Sequence, residues 1–162
     1  MPATYEPIKS YTISGSTTGT LTFNSIPQTY TDLKLVGTSG QITAGGLQVR
    51  LNGISSSSYS NVRLDGDGST ISSGKNANLT RMQTYCFSVG NTISVQSILE
   101  LFNYTNTSVY KSALFSEYKG AFVVNTVHLL RNTSAITSIT LNAEVDYFVN
   151  GSVFTLYGIK AA

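Results

Sequence analysis

Reactive and charged side chains are scarce in this sequence. Its 162 residues include one cysteine (Cys86), one histidine (His128), three prolines and no tryptophan. A single cysteine excludes an intramolecular disulfide framework and any multi-cysteine metal site, and a single histidine excludes a histidine cluster for zinc. Charged residues make up 11% of the chain, against roughly 25% in an average soluble protein. Ten cations and eight anions leave a net charge of +2, spread too thinly for a nucleic-acid footprint. No stretch approaches the ~20 uninterrupted apolar residues of a membrane helix. The opening Met1-Pro2-Ala3-Thr4-Tyr5-Glu6 has neither the basic nor the apolar region of a signal peptide. The expectation is a soluble chain made in a cytosol, with no nucleic acid or membrane as partner.

Serine and threonine fill the gap left by charge, at 43 of 162 residues, with 12 Asn and 14 Gly beside them. Hydrophobic residues are still 41% of the chain, and they are patterned, which argues against disorder. The length suits one domain able to bury its own core. No linker, charge block or internal repeat interrupts it.

The dominant period is two. Leu47, Val49 and Leu51 flank Gln48 and Arg50; Ile93, Val95, Ser97, Leu99 and Leu101 share a face opposite Gln96 and Glu100. Lys9–Ile13, Leu21 with Phe23, Leu33 with Leu35, Ile136–Leu141 and Val153–Ile159 read the same way, and Val123 and Val127 fall on one face of Ala121–Arg131. Such alternation of β-branched, aromatic and Thr residues suits a half-buried pleated surface. Helix evidence is poor; only Leu114–Lys119 is read as a short helical turn. Turn dipeptides Asn52-Gly53 and Asn150-Gly151, with Gly45-Gly46, Ile26-Pro27 and Asp65-Gly66-Asp67-Gly68, separate the runs. Ile54–Ala77 reads as an extended excursion holding one short strand, Tyr59–Leu64. The fold class expected is all-β, a single antiparallel β-sandwich of about eight to ten strands with a short N-terminal arm at about 1–8.

Candidate sites are few. Asp65-Gly-Asp67-Gly-Ser69 begins like a calcium loop, but no Glu completes it, and a tight turn accounts for the same residues. His128 sits between Val127 and Leu129 and reads as a structural or interface histidine; Cys86, between Tyr85 and Phe87, reads as a small hydrophobe. Eight scattered carboxylates, Glu144 and Asp146 among them, form no evident catalytic pair. The five Asn-x-Ser/Thr sequons, at Asn78, Asn103, Asn106, Asn132 and Asn150, follow from composition. The expectation is a non-enzyme with no cofactor and no metal. Ten tyrosines, amphipathic and suited to interfaces, point instead to subunit contacts. A surface so poor in charge invites symmetric assembly.

An ordered set of short motifs adds to this. Tyr5-Glu6-Pro7-Ile8 opens it, then Phe23-Asn24-Ser25-Ile26-Pro27, Tyr30-Thr31-Asp32-Leu33, Val49-Arg50-Leu51-Asn52-Gly53, Ser58-Tyr59-Ser60 and Leu64-Asp65-Gly66-Asp67-Gly68. Asn103-Tyr104, Tyr110-Lys111, Ala135–Ile139 and Gly151–Lys160 complete it. The set resembles a family of small virion proteins of tailed bacteriophages. The resemblance implies a jelly-roll-like sandwich that assembles as a homotrimer and acts as a capsid cement (decoration) protein on the outer head surface, with the major capsid protein as partner. Similar domains in tail fibres imply the alternative, a receptor-binding domain contacting host glycans. It implies no catalytic residue. The capsid or subunit contacts expected are Tyr5, Glu6, Pro7 and Ile8 in the arm, which is able to add a strand to a neighbour's sheet edge, and Tyr59, Arg63, Asp65 and Asp67 in the Ile54–Ala77 excursion. Asn78–Gln96 matches no part of the pattern, and any capsid-specific or host-specific surface is expected there.

Overall fold

The computed structural model describes residues 5–15, 18–40, 46–86 and 92–160. Residues 1–4 of the expected arm, Gly45 of the Gly45-Gly46 turn and residues 87–91 of the unmatched stretch lie outside the described residues. Among the described residues twelve strands form: β1 Tyr5–Thr12, β2 Thr20–Phe23, β3 Asp32–Ser39, β4 Leu47–Leu51, β5 Tyr59–Gly66, β6 Ile71–Leu79, β7 Met82–Gln83, β8 Val95–Phe102, β9 Lys111–Lys119, β10 Phe122–Leu130, β11 Ile139–Ala143 and β12 Val153–Ile159. The eight-stranded sheet runs β1-β12-β3-β8-β9-β10-β5-β6, and the four-stranded sheet runs β2-β11-β4-β7. Every pairing in both sheets is antiparallel. The fold is an all-β sandwich, and no helix of the described residues is long and apolar enough to cross a membrane.

Period-two alternation builds the core. In β3, β8 and β12 every second residue is buried, so Leu33, Leu35, Leu99, Leu101, Phe154 and Leu156 point from the large sheet at Phe23, Val49, Leu51, Ile139 and Leu141 from the small one. Each such side chain contributes about 1.5–3 kcal/mol on leaving water. Tyr11 ties the layers together at one edge: its hydroxyl donates to the Thr22 carbonyl (2.8 Å), and its ring meets Phe23 edge-on at 5.0 Å. Asn52 (φ 51°) and Gly53 (φ 66°) take left-handed conformations after β4, as a tight Asn-Gly turn requires. The Asn52 amide bridges across to the chain before β11, accepting from Thr137 and Ser138 N–H and donating to the Ala135 carbonyl.

The strand count exceeds the sequence expectation for identifiable reasons. Leu114–Lys119 is not a helical turn but most of β9, where Ala113, Phe115 and Glu117 face inward and Ser112 and Tyr118 outward. The Ile54–Ala77 excursion is chiefly a hairpin, because Ile71–Leu79 pairs with β5 along nearly its whole length. β6 has almost no apolar residue to mark it. The arm segment Tyr5–Ile8 is the first half of β1, paired with β12 in its own sheet from Tyr5 opposite Ile159.

Candidate interaction surface

The large sheet has two faces at its β9-β10-β5-β6 end, and they differ in chemistry. Antiparallel pairing sets residues in rows: Leu114 beside Val127 beside Val62, Ser116 beside Asn125 beside Leu64, Tyr118 beside Val123 beside Gly66. These rows face away from the small sheet. Val62 is 62% exposed, Leu64 56%, Ile71 81% and Val127 56%, with Val123 at 40% and Leu129 at 36%. A shallow groove of about 560 Å³ runs between Val62, Val127, Leu129 and Ala77, and one of about 180 Å³ lies between Leu64, Ile71 and Val123. The outward positions of β5, β9 and β10 carry no charged side chain; Lys75 on β6 stands at the groove's margin. Monomeric proteins rarely leave a contiguous apolar area beyond a few hundred Å² in water.

The opposite face of the same strands holds buried polar groups. Glu117 is 1% exposed and accepts the N–H groups of Tyr85 (2.9 Å) and Cys86 (3.3 Å). Desolvation raises its carboxyl to about 7 against the pull of those donors. The Cys86 thiol, buried beside it, is pushed up to about 12, chiefly by desolvation. His128 is fully buried, 6.2 Å from the Phe115 ring centroid, and burial lowers it to about 4, so it is neutral at pH 7. Neither of its ring nitrogens has a hydrogen-bond partner among the described residues. Through its bonds to these two N–H groups Glu117 holds the Tyr85–Cys86 backbone against the sheet. Among the described residues no group of three or more His, Cys, Asp or Glu side chains is placed to hold a metal.

The expected contact residues do not converge on one surface. Tyr5, Glu6, Pro7 and Ile8 lie on β1, at the edge of the sheet opposite β6. Tyr5 is half exposed, Glu6 pairs with Lys160 (2.8 Å) and accepts from the Tyr30 hydroxyl (3.0 Å), and Ile8 packs on the core. The Lys160 bond, then the Tyr30 one, hold the Glu6 carboxyl below its ordinary value. Tyr59 faces inward and is fully buried, where its hydroxyl accepts from Leu51 N–H (3.1 Å) and donates to the Ile54 carbonyl (3.3 Å). It is a core anchor of this chain, because its place in the strand alternation sets it opposite Val62 and Leu64 in facing. Arg63 and Asp65 also face inward: Arg63 Nε lies 2.9 Å from Asp65 Oδ1, the guanidinium sits 4.4 Å from the Tyr85 ring centroid, and Ser72 donates to Asp65 (2.6 Å). Asp67 is exposed at the hairpin tip and accepts from Ser69 N–H, Ser69 Oγ–H and Thr70 N–H, with its carboxyl held down at about 2 mainly by the Thr70 and Ser69 amides. It serves the turn expected of it.

The exposed apolar face itself was missed by pattern reading. Its signal lies in β5 and β10, where apolar residues occupy both parities: Tyr59 against Val62 and Leu64, and Val124 and Leu130 against Val123, Val127 and Leu129. A strand apolar on both sides is covered on both sides or has one side awaiting a partner.

No protein-family model matches this chain, and no curated protein matches its sequence.

Proposed function

We propose that this chain is a structural protein of a bacteriophage particle, a homotrimeric cement protein bridging neighbouring major capsid protein subunits on the outer head surface. The observation that carries the reading is the largely apolar outer face of β9, β10, β5 and β6, with Lys75 its one charge, left in water by a sandwich whose core is complete without it. Such a face suits permanent assembly better than transient encounter, since lasting interfaces are the more apolar ones. The ordered motifs that resemble small virion proteins support the particle as the setting. The mechanism is multivalent bridging: each trimer contacts several lattice subunits, so the shell opens only when many contacts break together.

Binding of the purified protein to emptied capsids tests the reading. Saturable binding at a fixed number of copies per lattice site, with a rise in the temperature at which the shells open, is the expected result. Binding to host cells or glycans without binding to capsids overturns it in favour of a receptor-binding role.

A further inference from the structure

We propose that the outer face of β9-β10-β5-β6 is where this chain packs against a second copy of itself. The proposal deepens the assembly reading above and rests on it only for the statement that the chain is oligomeric. Area is the first argument. The fractional exposures of Val62, Leu64, Ile71, Val123, Val127 and Leu129 amount to roughly 550 Å² of surface, at the upper end of the roughly 300–600 Å² that the largest patch of a single chain leaves uncovered. One side of a standard interface is about 800 Å², and homomeric interfaces are about 65% apolar, so one side needs roughly 500 Å² of apolar surface. This face supplies about that, with Ser116 and Asn125 in the row between its two grooves.

Charge is the second argument. A partner that is not a sister copy is commonly selected by complementary charge, and the outward positions of β5, β9 and β10 present none. A face whose one charge, Lys75, stands on the edge strand β6 meets its own copy with little like-charge repulsion, since a lysine stem can lie along apolar surface with its amine in water.

The sheet edges are the third. β1 guards its edge with Pro7, a register shift between Pro7 and Lys9, and the charges of Glu6 and Lys9. β6, Ile71–Leu79 at the other edge, has no proline and a single charge, Lys75 opposite Val62, which leaves its Ile71–Gly74 half unguarded. Open edges of that kind are normally blunted or covered. A sister copy seated on the adjoining apolar face shields this one.

Sedimentation equilibrium of the wild-type chain, Leu64→Asp and Val123→Lys tests the proposal, with circular dichroism confirming the β fold of each. Both positions face solvent in the single chain, so folding is retained. If Leu64→Asp nonetheless fails to fold, Val123→Lys decides. The expected result is an oligomeric wild type and single-chain variants, with the dissociation constant for self-association raised at least ~100-fold. Folded variants that keep the wild-type mass overturn this assignment of the face and leave the assembly reading standing. A wild type that stays single-chain at high concentration overturns both.

Discussion

Two buried groups under the β9-β10 surface give the protein opposed pH dependences, which Glu117→Gln separates. Glu117 has an ordinary value of 4.5 and sits at about 7 in the fold. From pH 4.5 to 7 the unfolded chain has released a proton that the folded chain keeps, so stability falls as pH rises. The gap of about 2.5 pH units is worth about 3 kcal/mol. His128 has an ordinary value of 6.5 and sits at about 4 in the fold. From pH 4 to 6.5 the unfolded chain holds a proton that the folded chain refuses, so stability rises with pH, again by about 3 kcal/mol. In the wild type the two slopes offset each other between about pH 4.5 and 6.5. Glu117→Gln removes one of them and leaves stability climbing across that window. His128→Leu removes the other and leaves stability declining from pH 4.5 to 7. Urea unfolding at half-unit pH steps, read as variant minus wild type, cancels every other titrating group. Difference curves that are flat for both variants refute the reasoning, because neither group would then be desolvated as its burial requires.

Other perturbations have equally definite outcomes. Lys111 is fully buried and its ammonium donates to the carbonyls of Asn106, Val109 and Thr133; Lys111→Met strands those acceptors and costs about 3 kcal/mol by urea unfolding. Gly158 lies under the Tyr30 ring, and an added Cβ would overlap it, so Gly158→Ala costs about 1–3 kcal/mol, less in a Tyr30→Ala background. Cys86, buried with its thiol at about 12, stays unmodified by a thiol reagent at pH 8 in the folded protein and reacts at once in urea.

Legibility in the sequence followed chemistry strand by strand. β4, β8 and β12 were readable because one parity is apolar and the other polar, as in Leu47-Gln48-Val49-Arg50-Leu51. β9 was misread because Leu114 and Tyr118 on the outer face blur the alternation that Ala113 and Phe115 set up on the inner one. β6 was invisible because Ile71–Leu79 buries almost nothing and owes its conformation to backbone pairing with β5. The tyrosines misled at Tyr59, whose hydroxyl finds its partners inside the core at Leu51 and Ile54 instead of at a surface. The charged motif residues Arg63 and Asp65 drew attention by their chemistry yet form an ion pair with each other on the inward side of β5. The valines and leucines beside them, chemically plain, form the exposed surface. Facing depends on which side of a strand the small sheet covers, and that is a long-range fact with no local signature.

The central claim is that this sandwich is a particle component whose apolar β9-β10-β5-β6 face is covered by assembly. A cryo-electron reconstruction of the intact virion tests it most directly. The account predicts twelve-stranded sandwich density in threefold clusters over capsid-subunit junctions, with Val62, Leu64 and Val127 buried between copies. Density confined to the tail, or single copies with that face open to solvent, contradicts it.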